Sequence, residues 1–341
     1  MQASDHSVFD LGEFELQSGI VFSGAKLAYK TYGELNAQRD NVVVLPTFYT
    51  GTHMRNEGYF GRGRAIDPAR HFVVSVNMFG NGISSSPSNT PAPFAGADFP
   101  DITLYDNVHA QYRLLTEELG VDRIALVTGW SMAGCQSFQW GAQYPDFVDA
   151  ILPFCASAKT SEHNIVFLEG VKAALQADAV YADGRYTKPP AKGLKAFARV
   201  YAGWAFSQTF YREHLYRQLG FDSAEGLLRD WEEEHLEWDA NDLLSKLATW
   251  QKADISANEI YRNDFRAALG AIRAKTIVIA CEEDLYFRPE DNRIEIEHID
   301  GGDLRVFRSP WGHCVASPGN SPEFEACLDQ AVAELLGEAV K

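Results

Sequence analysis

The sequence predicts an α/β fold: a mostly parallel sheet with helices on both faces, interrupted by one long helical insertion. Three observations predict it. Short apolar, β-branched runs recur at 41–45, 71–76, 124–127, 150–154, 275–280 and 304–307, and a continuous rather than alternating run marks a strand covered on both faces. Segments with apolar residues at helical spacing, 104–119 and 132–144, alternate with those runs, as crossover helices between parallel strands do. From about 158 to 269 the β-branched runs stop, and long helical segments rich in aromatics take over. The expected organisation is a core in two parts, 1–157 and 271–341, with a helical cap or lid at 158–270 between them.

Composition narrows what such a chain can do. With 46% apolar and 23% charged residues, its 341 residues suffice for a sizeable core. The net charge of −17 argues against nucleic acid or an anionic membrane as partner, because both require basic patches. The leading stretch 1–16 is polar and acidic, without the basic and apolar segments of a signal peptide. No window has the length and apolarity of a membrane span. Five scattered cysteines, Cys135, Cys155, Cys281, Cys314 and Cys327, form no C-x-x-C pair. A zinc site or disulfide framework is not expected from them, and a reducing cytoplasm is the simplest location.

Taken in order, 13–32 reads as two alternating strands broken at Ser18-Gly19, an antiparallel pair at a sheet edge. The run at 41–45 ends at Pro46, which cannot donate to a central ladder, and the loop 47–52 follows. Residues 56–64 are rich in Gly and aromatics but lack the Lys-Ser/Thr of a phosphate loop. After the strand at 71–76, Gly80 and Gly82 begin a G-x-G pattern that neither Ser85 nor a helix completes. The stretch through Pro100 then reads as surface loop, and Gly120 is a plausible stop for the helix at 104–119. Within the insertion, the acidic run 230–234 reads as a solvated helix face, and the aromatics as core, with an apolar pocket where the cap meets the sheet. The last strand leads to Ser309-Pro310-Trp311-Gly312-His313, and 323–336 forms a terminal helix.

The chemistry gathers around Thr128-Gly129-Trp130-Ser131-Met132-Ala133-Gly134. Strand, tight turn carrying Ser, then helix is the setting of a nucleophile elbow, G-x-S-x-G, here met by Gly129, Ser131 and Ala133, with Gly134 one place on. The bland alternative is a Gly that ends a strand and a Ser that caps a helix. An acid after a late strand and a His after the next one decide for the elbow. Asp284 lies 284 − 131 = 153 residues beyond Ser131, and His313 lies 313 − 284 = 29 residues beyond Asp284. The order Ser…Asp…His is that of the α/β-hydrolases, and an inserted cap accounts for the long first interval. Of nine histidines only His313 falls after the right strand; Glu283 and Glu282 are fallback acids.

These types suit nucleophilic catalysis. A Ser hydroxyl is a weak nucleophile until His takes its proton, and a carboxylate fixes the tautomer of that His and stabilises its charged form. The oxyanion then formed needs preorganised N–H donors, each typically worth roughly 2.7–4 kcal/mol of barrier. Tyr49, in the loop after the third strand, and Met132, at the start of the elbow helix, are the candidate donors.

At this point the chain resembles the homoserine O-acyltransferases and their esterase-like relatives. The resemblance runs through Tyr32-Gly33-Glu34-Leu35-Asn36, Gly96-Ala97-Asp98-Phe99-Pro100-Asp101-Ile102-Thr103, Tyr144-Pro145-Asp146, Asn164-Ile165 and Trp238-Asp239-Ala240-Asn241, and so covers most of the chain. It places Ser131, Asp284 and His313 on the family's triad and Tyr49 and Met132 on its oxyanion donors, and it implies a dimer formed through the cap.

The departures bear on the acceptor. Where the acetyltransferases carry Gly-Gly-Ser-Met-Gly-Gly, this chain has Gly129-Trp130-Ser131-Met132-Ala133-Gly134. The Asp that follows the family's catalytic His and holds the homoserine amine is Cys314 here. The cap Arg for the homoserine carboxylate falls at Ala205 or Phe206, with Arg212 nearby in sequence. Losing one partner of a desolvated charge costs on the order of 2–5 kcal/mol. The resemblance therefore implies hydrolysis of a small-molecule ester, short-chain and acetyl in the first instance, in an apolar pocket lined by Trp130, Phe206 and Cys314. Transfer of an acyl group from acyl-CoA to an alcohol is the alternative, and a scaffold without catalysis a remoter one. Neither metal nor organic cofactor is implied.

Overall fold

The computed structural model describes residues 5–337; the first four residues of the leading stretch and the last four of the second core segment lie outside them. The described residues form one sheet of eight strands: β1 (Ser7–Glu15), β2 (Val21–Tyr32), β3 (Val42–Pro46), β4 (Phe72–Val76), β5 (Leu126–Trp130), β6 (Ala150–Phe154), β7 (Lys275–Cys281) and β8 (Asp303–Phe307). Their spatial order is β1-β2-β4-β3-β5-β6-β7-β8. β1 pairs antiparallel with β2, and β2 with β4; every later pair is parallel.

The edge pair begins earlier than the sequence indicates, at Ser7 rather than Glu13. The register shifts on both sides of Gly12, whose φ of +63° belongs to a bulge, so the alternation that identifies a strand is broken in its middle. Every residue of β3, β4, β5 and β6 is buried, as their continuous apolar runs require. The expected helix at 104–119 is present but changes form. Leu104–Arg113 is α-helical behind a Thr103/Asp106 capping box, and Leu114–Glu118 widens into a π-helical turn before Gly120 at φ +60°.

The strand order positions the site. The chain runs outward from β3 to β4, then crosses back over β3 to β5, and a crevice opens at the carboxyl ends of strands where direction reverses in this way. The loops after β3 and β5 both reach that edge.

Between β6 and β7 the chain runs through helices at Glu162–Gln176, Ala191–Ala205, Gln208–Arg212, Ala224–Leu236 and Ala240–Gln251. Ser161, Ser207, Ser223 and Asp239 each cap one of them with a side-chain oxygen that accepts a backbone N–H. Specific bonds tie these helices to the sheet's loops. The Tyr49 hydroxyl donates to Leu243 O (2.8 Å), Asn164 Nδ2 to Tyr286 O (2.9 Å), and the Tyr286 hydroxyl to Tyr201 O (2.7 Å). The rings of Tyr49, Phe197, Tyr201 and Trp250 pack across the same boundary.

Candidate active site

Ser131 follows the last residue of β5 and has φ +59° and ψ −127°, a conformation that L-residues rarely adopt. Its N–H donates to Phe154 O (3.1 Å), which holds the turn against β6. The neighbouring small residues make this geometry possible. A Cβ on Gly129 would lie 2.3 Å from the Cβ of Ala133, and one on Gly134 would lie 2.5 Å from that of Ala156 and 2.8 Å from Gly129 O. Ala is tolerated at 133 because the residue it faces, Gly129, has no side chain.

His313 stands on a short 3-10 turn, Gly312–Ala316, after β8. Its Nδ1 lies 2.7 Å from Asp284 Oδ2, and both side chains are buried. Asp284 follows β7, and its other oxygen, Oδ1, accepts the N–H groups of Tyr286 (2.8 Å) and Phe287 (3.1 Å). One carboxylate oxygen is thus committed to the backbone and the other to imidazole. The ring of Trp130 stacks on His313 at 5.0 Å between centroids, and Tyr286 meets it edge-on at 4.8 Å. The fallback acids stand elsewhere: Glu282 pairs with Arg308 at the surface (3.1 Å), and neither Glu282 nor Glu283 is bonded to His313.

The Cys155 thiol approaches this pair, with one potential donor atom from each of Cys155, Asp284 and His313 within 4.8 Å of one another. Burial pushes the Cys155 thiol well above its usual pKa, with the Asp284 charge adding to the effect, so the thiol stays protonated. With His313 Nδ1 already turned to Asp284, the cluster reads as a packed histidine–carboxylate pair. Cys135, behind the elbow, is likewise buried, its thiol pushed up to about 12.

The N–H groups of Tyr49 and Met132 have no acceptor among the described residues. Met132 is the first residue of the elbow helix, Met132–Gln143, where N–H groups lack intrahelical partners. The Tyr49 phenol is fully buried and bonded to Leu243 O, which leaves only its main chain available to a ligand.

Ser131, His313 and Tyr49 line a single cavity of about 200 Å³. Trp130, Phe206 and Cys314 line it too, as the sequence indicates, whereas Arg212 does not. The expectation of an apolar pocket needs correction, because Arg55, Asp230, Glu234 and His235 also line it. Asp230 and Glu234 belong to the acidic run read as a solvated face; being four residues apart they share one helix face, and that face borders the cavity. His235 is buried and neutral: burial brings it down to about 4, and its Nδ1 faces Trp231 O at 2.8 Å. No local signal marked Arg55, because only the folded chain brings the loop after β3 beside the helix Ala224–Leu236.

Comparison with known proteins agrees with the fold. Residues 40–317 match the model of the alpha/beta hydrolase fold, and the chain belongs to that family. Within it, the relatives are esterases and homoserine O-acetyltransferases. The chain is 34% identical over 339 residues to the ethyl acetate hydrolase of Pseudomonas veronii, covering 97% of this chain and 96% of that one. It is 32% identical over 315 residues to the homoserine O-acetyltransferase of Chlorobaculum tepidum, covering 88% and 86%. Its structure superposes on that of the acetyl esterase MekB with a TM-score of 0.95 at 34% identity, covering 98% of this chain and 97% of that one.

Proposed function

We propose that this protein hydrolyses short-chain carboxylic esters, acetyl esters in the first instance, through an acyl-enzyme on Ser131. The observation that carries the reading is the 2.7 Å contact from buried Asp284 Oδ2 to Nδ1 of His313, which lines the same cavity as Ser131. With Nδ1–H donating to Asp284, Nε2 is the basic nitrogen. His313 takes the Ser131 proton as Oγ attacks the acyl carbon, and Asp284 stabilises the imidazolium. Tyr49 and Met132 N–H groups hold the oxyanion. The proton then passes to the departing alkoxide, the alcohol leaves, and water attacks the acyl-enzyme with His313 again as base.

Size supports a small substrate. A cavity of about 200 Å³ lies below the roughly 300–1,000 Å³ of pockets that take drug-sized ligands. It suits an acetyl group and a short alcohol. Trp130, Phe206 and Cys314 form the apolar part of its lining. In this reading residues 158–270 are a cap over core segments 1–157 and 271–341. A cytoplasmic location and a cap-mediated homodimer belong to the same reading, the first resting on five free cysteines and the second on the family resemblance.

A second reading, acyl transfer from acyl-CoA, shares every step but the last nucleophile, and the homoserine O-acetyltransferases among the relatives favour it. Cys314 in place of the Asp that follows the catalytic His, and the absence of Arg212 from the cavity lining, weigh against homoserine as acceptor. The test is acetyl release from p-nitrophenyl acetate and from acetyl-CoA, each with and without L-homoserine. Hydrolysis indifferent to homoserine and lost in Ser131→Ala is expected. CoA release that depends on homoserine would establish the transferase instead.

A further inference from the structure

The solvent-facing end of the cavity carries an unbalanced set of charges. Arg55 Nη1 lies 3.1 Å from Glu234 Oε1, and its guanidinium sits over the Phe48 ring at 5.5 Å from the centroid. Asp230, one turn before Glu234, lines the same cavity, and among the described residues Arg55 is the only Lys or Arg in that lining. Buried His235, being neutral, adds no positive charge. Two carboxylates and one guanidinium therefore line the cavity, the guanidinium already engaged by Glu234. Partial burial raises the Asp230 carboxyl, with the Glu234 charge adding to the shift.

We propose that Arg55, Asp230 and Glu234 form a charge filter on the side from which the alcohol departs, selecting acetyl esters of small uncharged alcohols over esters whose alcohol carries a carboxylate or phosphate. This rests on the esterase reading above. The acyl group must reach Ser131 at the buried end, so the alcohol projects toward the half-exposed one. An anionic alcohol would have to displace Glu234 from Arg55 and leave three negative groups with one positive along a half-exposed wall of the cavity. A polyanionic acyl-CoA meets the same obstacle, in addition to the chain's net charge of −17. The filter gives a physical reason why a site with the complete machinery for acyl transfer would pass its acyl group to water.

The competing arrangement is that Arg55 receives a substrate carboxylate and Glu234 merely holds its place. Matched acetate esters separate the two: kcat/KM is measured for ethyl acetate and for acetoxyacetate, and the readout is their ratio. The filter predicts that the wild type favours the neutral ester by about tenfold or more, and that Glu234→Gln and Asp230→Asn each shift the ratio several-fold toward the anion. Raising ionic strength should move the wild-type ratio in the same direction, since screening weakens half-exposed charges. That measurement needs no variant. A wild-type preference for acetoxyacetate that disappears in Arg55→Met would overturn the filter, and so would a ratio unmoved by either substitution and by salt. Failure of the esterase reading is distinguishable, because the wild type would then leave ethyl acetate unhydrolysed, or Ser131→Ala would hydrolyse it as fast as the wild type, whatever the charge ratio.

Discussion

A Cβ on Gly312 would stand 2.8 Å from the main-chain N of Ser207, so the turn that carries His313 is packed directly against the helical insertion. Ser207 reinforces the contact, its hydroxyl donating to Pro310 O at 2.5 Å while it caps the helix Gln208–Arg212. The position of His313 thus depends on a segment roughly a hundred residues earlier in the chain.

Gly312→Ala tests that dependence. Gly312 has φ +61°, and the added methyl meets backbone that cannot swing away. A stability loss of about 1–3 kcal/mol is expected, as for other strained backbone positions. In the folded fraction kcat/KM should fall, because the methyl moves His313 and presses on the main chain of Ala205 and Phe206, which line the cavity. Thermal unfolding alongside steady-state kinetics reads both.

Asp284→Asn should remove activity without removing the fold. Oδ1 accepts two backbone N–H groups, so an Asn would keep its carbonyl oxygen there and turn its NH₂ toward His313 Nδ1. That nitrogen must then accept, the proton moves to Nε2, and the base toward Ser131 is gone. A fall in kcat on the order of 10⁴ is expected, the size seen when a triad Asp becomes Asn. Near-wild-type kcat at neutral pH would contradict the assignment of Asp284.

Acid should destabilise the protein through His235. Its folded pKa of about 4 lies below the roughly 6.5 of an unfolded histidine. Between these values the unfolded chain binds the proton and the folded one does not. The stability is therefore fully present above pH 6.5 and is lost as pH falls toward 4, by at most about 3 kcal/mol. His235→Phe, which keeps a ring beside Trp231, should flatten the decline of Tm between pH 6.5 and 4. A decline as steep as the wild type's would assign the effect to other groups.

Gly134→Ala should cost more than an ordinary Gly-to-Ala change in a helix, which by propensity alone would stabilise by up to about 1 kcal/mol. The new methyl would meet Ala156 Cβ at 2.5 Å and Gly129 O at 2.8 Å, forcing the elbow helix away from β6. A net loss of about 1–3 kcal/mol, the range for overpacking, is expected from chemical denaturation. An unchanged or raised midpoint would mean the helix can shift without cost.

Much of this was legible from local pattern. β3 to β6 are continuous apolar runs because both faces are covered, and the elbow announces itself because a strained turn between strand and helix admits only small neighbours. Asp284 and His313 follow from their places after the last two strands. The early start of β1 was hidden by a bulge at Gly12, and the turn at Leu114–Glu118 by a helical spacing that runs straight through it. The charged side of the cavity was hidden for a different reason. An acidic run on a helix has the same pattern whether it faces water or a cleft, and Arg55 joins Glu234 across 179 residues of chain.

The sequence by itself determined the class of sheet and pointed to Ser131, Asp284 and His313 as the candidate triad, because each depends on residue types at short range or in a set order. The tertiary structure alone decided which carboxylate oxygen serves His313, how closely the insertion grips Gly312, and which charges meet at the cavity's open end. Those are matters of distance between segments far apart in the chain, and no local pattern encodes them.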